Sequence, residues 1–302
     1  MTGKSGDSRK QASYSRTWRD DLHHYRAFAA AVTTKGIKMK ATVIPPHGGA
    51  IATDDRARDL PQYSLRQIVT VWAAATAPMA ILAWVVAPWM GHHIGGRDPF
   101  IQALLICFNA GLVWMLALVL ILVRREQGSL SWPVIRDALW LRAPLDPKTK
   151  RVGGRVWWWL LPFIVLSAVI NALPLDPIGP LPRDFPAAVL TDRVKHYFDG
   201  NWSGFALLVA VAFLSPIIEE LLFRGLLLPR MRAVFGRGDV VANSAAYTLY
   251  HLHQPWSMPR SFIDGIINLA YPTRRFQSTW IALIVHTAPS LLIFGAVLAL
   301  VL

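Results

Sequence analysis

The chain has few charged residues and almost no cysteine. Only 16% of its 302 residues are charged and 54% are hydrophobic, whereas roughly 25% are charged in a soluble domain. Cys107 is the single cysteine, which excludes an intrachain disulfide, and its place in an apolar run predicts a small buried side chain. The shortage of charge argues against a soluble globular protein and favours a membrane protein.

The sequence also lacks two features that would indicate a secreted protein or a transporter. Residues 1–66 contain no long apolar run, which argues against a secretory signal peptide. No internal repeat is visible, so the inverted repeats of many secondary transporters have no support.

Acidic residues are also scarce, with 18 Asp and Glu against 31 Lys and Arg. The basic residues concentrate in 1–66 and between the apolar runs, a distribution that fits attraction to anionic lipid rather than to nucleic acid. We therefore predict no nucleic-acid partner, and an N-terminal tail that is basic, cytoplasmic and partly flexible. Within it, Trp18–Val32 could form a short helix on the membrane surface.

The apolar runs predict an all-α, polytopic transmembrane bundle of about seven to eight membrane helices, with a core made of the last four. A spanning helix needs about 20 apolar residues, and Pro78 should kink the first. We read 174–202 as a loop and 132–140 as a surface-lying amphipathic helix. The predicted spans are 67–90, 100–123, 156–173, 202–228 and 280–302, with the shorter runs 240–253 and 262–271 among them.

The predicted organisation is a tail, 1–66, N-terminal transmembrane helices, 67–199, and a catalytic transmembrane core, 200–302. The basic loops place the N-terminus in the cytoplasm, and the whole fits an integral protein of a bacterial-type plasma membrane.

Ionisable residues inside apolar helices point to the function, because a charge at membrane depth costs at least about 2.5–3.5 kcal/mol. Glu220 and Arg224 are spaced i, i+4 and can pair on one helix face. Glu219 is rotated by about 100 degrees from Glu220, so one arginine cannot easily serve both acids. Glu219 is left without a local cation and is suited to act as a general base.

His251 and His286 lie on separate helices, both at membrane depth. A carboxylate and an imidazole can together deprotonate a water, and a second imidazole can donate to the oxyanion of an attacked carbonyl. The same residues also suit zinc, although the spacing is not His-Glu-x-x-His. His253 lies about 200 degrees around the helix from His251, so we expect the two rings to face different ways and His253 to make a structural hydrogen bond.

These residues form motifs. Glu219-Glu220-Leu221-Leu222-Phe223-Arg224 resembles EExxxR, the first motif of the CAAX prenyl endopeptidases and bacteriocin-processing enzymes (the CPBP or Abi family). Tyr247 four positions before His251 resembles the second motif, and His286-Thr287-Ala288-Pro289-Ser290 resembles the third, HxxxN. The resemblance covers about residues 200–302.

The resemblance implies an intramembrane endopeptidase acting on a membrane-associated or lipid-linked peptide. Glu219 would activate water with His251, and His286 would contribute to the oxyanion hole. Glu220 and Arg224 would support the site by pairing. Ser290 stands where the family has asparagine; it can donate one hydrogen bond, with a shorter reach.

The resemblance leaves the cofactor open. Zinc, if present, would use Glu219, His251 and His286, and catalysis without metal is slightly favoured. Two other functions stay open: a scaffold or regulator of the same fold with weak or no activity, and a proton-coupled transporter in which the Glu and His residues form a proton relay.

Overall fold

The described part of the chain is helical. A computed structural model describes residues 60–173, 175 and 192–302, so the predicted Trp18–Val32 helix and nearly all of the basic tail lie outside the described residues. Within these ranges there is no strand, only an isolated bridge between Leu145 and Val152. The prediction of an all-α, polytopic bundle is confirmed.

The helices follow one another with short connections. In chain order they are α1 Leu65–Gly91, α2 Pro99–Gln127, α3 Trp132–Ala138, α4 Gly154–Ala172, α5 Asp192–Phe198, α6 Trp202–Arg230, α7 Arg232–Phe235, α8 Asp239–Tyr250, α9 258–276 and α10 Thr279–Val301. Five described helices, namely α1, α2, α4, α6 and α10, are long and apolar enough to cross a membrane. The predicted count of seven to eight also includes α8, which is shorter, and α9, which contains more charged residues.

Local chemistry explains where the first spans begin and end. Ser64 and Gln67 form a reciprocal capping box at the start of α1. Asp98 caps α2 by accepting from the Ile101 amide at 3.1 Å. Gly128, in the left-handed conformation at φ 71°, ends α2 directly after its basic last turn.

Prolines inside the spans free backbone carbonyls, and side chains of neighbouring helices bind them. Pro78 has no N–H to offer Ala74, and the Trp114 indole donates to the Ala74 carbonyl at 2.8 Å. A π-helical segment, Leu82–Val86, begins four residues after Pro78, and the kink expected at Pro78 stays a prediction. Such contacts tie α1 to α2.

The segment 174–202 was predicted as a loop, and the structure corrects this. Within its described part, Asp192–Phe198 is a helix, α5, whose Val194, Tyr197 and Phe198 are buried. Proline richness marks the first part of the segment only, and the apolar spacing after Asp192 is helical. The residues 132–140 do contain a helix, α3, which ends at Ala138.

Helix packing positions the polar residues. α10 packs on α6 and α4, and α6 packs on α2. Trp72 of α1 donates from its indole to the Ala246 carbonyl of α8 at 2.9 Å. The polar faces of α6, α8 and α10 therefore meet inside the bundle, against α1 and α2.

Candidate active site

A buried ion pair forms the base of the site. Glu220 and Arg224 have no exposed side-chain surface, and Arg224 Nη1 lies 3.2 Å from Glu220 Oε1. The guanidinium also lies over the Tyr247 ring, 4.1 Å from its centroid. Gly265 of α9 leaves space for it, because a Cβ there would meet Arg224 Nη2 at 3.3 Å. Arg224 lies in a π-helical segment of α6, Leu221–Leu227, a feature common at functional sites.

Glu219 points away from that pair, in agreement with the rotation expected along α6. It is buried, and its Oε1 accepts from the Ser215 hydroxyl at 2.5 Å. Ser215 was not among the predicted site residues. Its position one turn before Glu219 on the same helix face is the signal that could have found it.

Two histidines approach from the other helices. His286 of α10 places Nδ1 2.9 Å from Glu220 Oε1, and its Nε2 lies 3.4 Å from the Tyr247 hydroxyl. His251 places Nδ1 2.9 Å from the Tyr247 carbonyl. A carbonyl only accepts, so in a neutral His251 the proton lies on Nδ1 and Nε2 has a free lone pair.

His253 also joins the site, and the expectation that it faces away from His251 is wrong. The two rings stack, with centroids 5.5 Å apart and an interplanar angle of 21°. The reason is that α8 ends at Tyr250 and His251–His253 forms a 3₁₀ turn, so α-helical angles no longer apply. His253 Nδ1 does bond a backbone carbonyl, that of Tyr250, at 3.1 Å.

Two cavities meet at these histidines. The smaller, of about 130 Å³, contains Glu219, Ser215, Tyr250 and His253 in its lining, and the larger, of about 290 Å³, contains Tyr247, Asn171 and Ser290. His251, Gln254 and His286 line both. These three side chains therefore stand between Glu219 and the larger cavity. Gln254 was not predicted; its only signal is its place in the turn after His251.

Ser290 lines the larger cavity with its hydroxyl already engaged. Pro216 in α6 cannot donate to the Ala212 carbonyl, and Ser290 Oγ donates to that carbonyl at 2.5 Å. A serine has a single proton to donate. In this arrangement Ser290 joins α10 to α6, and its one proton is engaged by the Ala212 carbonyl.

The described residues do not assemble a metal site. Within 60–173, 175 and 192–302, no three His, Cys, Asp or Glu side chains are placed so that they could hold a metal ion. Glu219, His251 and His286, the ligands that zinc would use if it were present, do not form such a group.

Together, these features define a polytopic helical membrane protein with a buried Glu and His site inside the bundle. Residues 201–292 match the family model described as Type II CAAX prenyl endopeptidase Rce1-like. Over that range the chain is similar to a protease family, and the resemblance seen in the motifs is confirmed. No curated protein and no solved structure matches the chain.

Proposed function

We propose that the protein is an intramembrane endopeptidase in which Glu219 and His251 activate water to hydrolyse a peptide bond. The observation that carries this proposal is the division of the site. Glu219 lies in a small cavity of its own, and the histidines separate it from a larger cavity. Because His251, Gln254 and His286 line both cavities, a water beside Glu219 at this shared boundary can approach a carbonyl held in the larger cavity.

The proposed reaction uses the chain's own residues. Glu219 takes a proton from the water, whose oxygen attacks the scissile carbonyl, and His251 Nε2 orients that water through its lone pair. A protonated His286 would donate from Nδ1 to Glu220 and from Nε2 to the oxyanion. Collapse of the tetrahedral intermediate breaks the C–N bond, and the proton on Glu219 passes to the leaving amine.

The ion pair of Glu220 and Arg224 has a supporting role. Glu220 fixes the His286 ring through Nδ1, and Arg224 balances the carboxylate that would otherwise be unpaired inside the bundle. Neither side chain lines either of the two cavities, so both act through His286.

The substrate we propose is a membrane-associated or lipid-linked peptide. The larger cavity, of about 290 Å³, is lined by side chains that can bind a peptide backbone, among them Asn171, Gln254 and Ser257. Extended backbone needs such donors and acceptors once water is removed from it. We further propose a bacterial-type plasma membrane with a cytoplasmic N-terminus, where the basic tail binds anionic lipid.

A second candidate, a regulator with weak activity, is favoured by one observation. The Ser290 hydroxyl donates to Ala212, so the oxyanion hole lacks the donor that asparagine supplies in the family pattern. A rise in activity in Ser290→Asn would identify a weakened protease, and no activity in either form would favour the regulator.

The test is cleavage of a membrane-peptide library by the purified protein in nanodiscs. Glu219→Gln should abolish cleavage while the protein stays folded, because the amide cannot take the proton from water. Asp192→Asn, the same change at a fully exposed carboxylate of α5, is the matched control and should cleave normally. Cleavage by Glu219→Gln at the normal rate, or none by the wild type across lipids and pH, would overturn the proposal.

A further inference from the structure

The smaller cavity contains a buried hydroxyl that the proposed reaction does not use. Tyr250 is 1% exposed, and its hydroxyl makes no hydrogen bond to any described residue. A buried hydroxyl without a partner is destabilising, and such groups are usually satisfied by an ordered water. Its position in the lining of the smaller cavity indicates where that water lies.

His253 offers an acceptor to the same space. Its Nδ1 is bound to the Tyr250 carbonyl at 3.1 Å, so in the neutral ring Nε2 has the free lone pair. The ring is held in place, stacked on His251 and edge-on to Phe108 at a centroid distance of 5.4 Å. His253 lines the smaller cavity and not the larger one.

We propose that the smaller cavity holds a reserve water, bound by the Tyr250 hydroxyl, His253 Nε2 and the Glu219 carboxylate. The water accepts from Tyr250 and donates to His253 and Glu219, which gives it the roughly three hydrogen bonds of a typical buried water. The cavity volume of about 130 Å³ is several times the roughly 30 Å³ that a water occupies in the liquid. The nucleophilic water between Glu219 and His251 therefore fits beside it.

The surroundings explain why a reserve is useful. The smaller cavity has an apolar wall, formed by Met79, Phe108, Leu112 and Val211. His251 and His286 stand between it and the larger cavity. Each peptide bond hydrolysed consumes one water. The reserve water moves to the nucleophile position after each turnover, and His253 and Tyr250 are positioning residues that act through it. The catalytic part of this inference rests on the proposed function; the water site does not.

The first test detects the water directly and needs no proteolysis. X-rays generate hydroxyl radicals from ordered waters, and these oxidise adjacent side chains. Tyr250 should be oxidised several-fold faster than Tyr197, a tyrosine of α5 that is equally buried at 1% exposure. His253→Phe keeps an aromatic ring but removes the acceptor, so Tyr250 oxidation should fall toward the Tyr197 rate. Equal oxidation of both tyrosines in the wild type would overturn the water site.

The second test separates positioning from packing. Tyr250→Phe should lower kcat about tenfold, because losing one hydrogen bond to the reserve water leaves its position filled about tenfold less often, with KM unchanged. Tyr197→Phe is the matched control and should leave kcat unchanged. His253→Gln should retain most of the activity because its amide oxygen still accepts from water, whereas His253→Phe should lose it.

The outcomes are distinguishable. Activity that is retained in His253→Phe and lost in His253→Gln would show that the ring is needed for packing only, and equal loss in the two variants would show that the acceptor atom is not what matters. Either result would overturn the positioning role. Fast Tyr250 oxidation in a protein that cleaves no peptide would support the water site and would contradict the proposed protease function.

Discussion

Removing Arg224 should be among the most destabilising changes in the chain. Arg224→Met keeps much of the side-chain volume and removes the cation, so the buried Glu220 carboxylate loses its 3.2 Å partner. Breaking a buried ion pair from one side costs about 3–5 kcal/mol, because the other charge is left uncompensated. The contact with the Tyr247 ring at 4.1 Å is lost as well. Among the described residues, His286 then remains as the partner of Glu220 Oε1.

A double-mutant cycle measures the coupling. Glu220→Gln removes the charge that Arg224 balances, so the double variant Glu220→Gln/Arg224→Met should be less destabilised than the sum of the single variants. The free energy of unfolding would be measured by equilibrium unfolding in mixtures of SDS and a mild detergent. The control cycle uses Asp192 and Lys195, an exposed pair 3.5 Å apart on α5, and should show no measurable coupling.

Two results would refute this reasoning. Additive effects in the Glu220 and Arg224 cycle would mean that the two charges do not depend on each other. A stable Arg224→Met variant would mean that His286 alone compensates Glu220. Activity adds an independent reading: both single variants should lose cleavage through a displaced His286 even where the protein remains folded.

Three further changes have expected results. Gly225→Ala should lower stability in thermal unfolding by about 1–3 kcal/mol, because the added Cβ would lie 3.0 Å from the Leu139 carbonyl oxygen. The control is Gly295→Ala, which should be neutral or stabilising because nothing lies within 4 Å of its added Cβ. Ser290→Ala should lower stability by about 1 kcal/mol. Its loss of kcat should be much smaller than the hundred- to thousandfold, roughly, that follows removal of an oxyanion donor, and a larger loss would contradict this assignment. Ser290→Asn should raise kcat, because an amide has a second proton to donate. Burial raises the pKa of the Asp98 carboxyl, but hydrogen bonds from Arg193 and the Ile101 amide lower it more, below its ordinary value. This contribution to stability is therefore present above about pH 4 and lost as the pH falls further, and Asp98→Asn should remove that part of the pH dependence.

Much of the site could be predicted because it follows α-helical geometry. The i, i+4 spacing placed Glu220 beside Arg224, and the rotation by one residue turned Glu219 away, as the structure shows. The histidines depend on contacts between helices and were placed by motif rather than by spacing. The direction of the His253 ring could not be predicted from the sequence. The prediction assumed 100 degrees of rotation per residue, whereas the helix tightens to a 3₁₀ turn after Tyr250.

Ser290 shows a different limit of sequence reasoning. Its resemblance to the family's asparagine position directs attention to the oxyanion hole, whereas its hydrogen bond follows from Pro216 on another helix. The consequence of a proline is visible in the sequence as a freed carbonyl at i−4. The residue that satisfies the carbonyl is visible only after the two helices are packed, so the pairing of Pro216 with Ser290 could not be read from either segment alone.

The first two spans have a part in the site that the family match does not cover. The match begins at residue 201, yet Met79 of α1 and Phe108 and Leu112 of α2 line the cavity that contains Glu219. An electrostatic interaction weakens when water enters, because the local dielectric constant rises. Without that apolar wall Glu219 would lie beside lipid or bulk water, and neither surrounding would hold a single oriented nucleophile. The spans α1 and α2, which were predicted from their apolar runs, therefore complete the lining around Glu219 in the candidate active site.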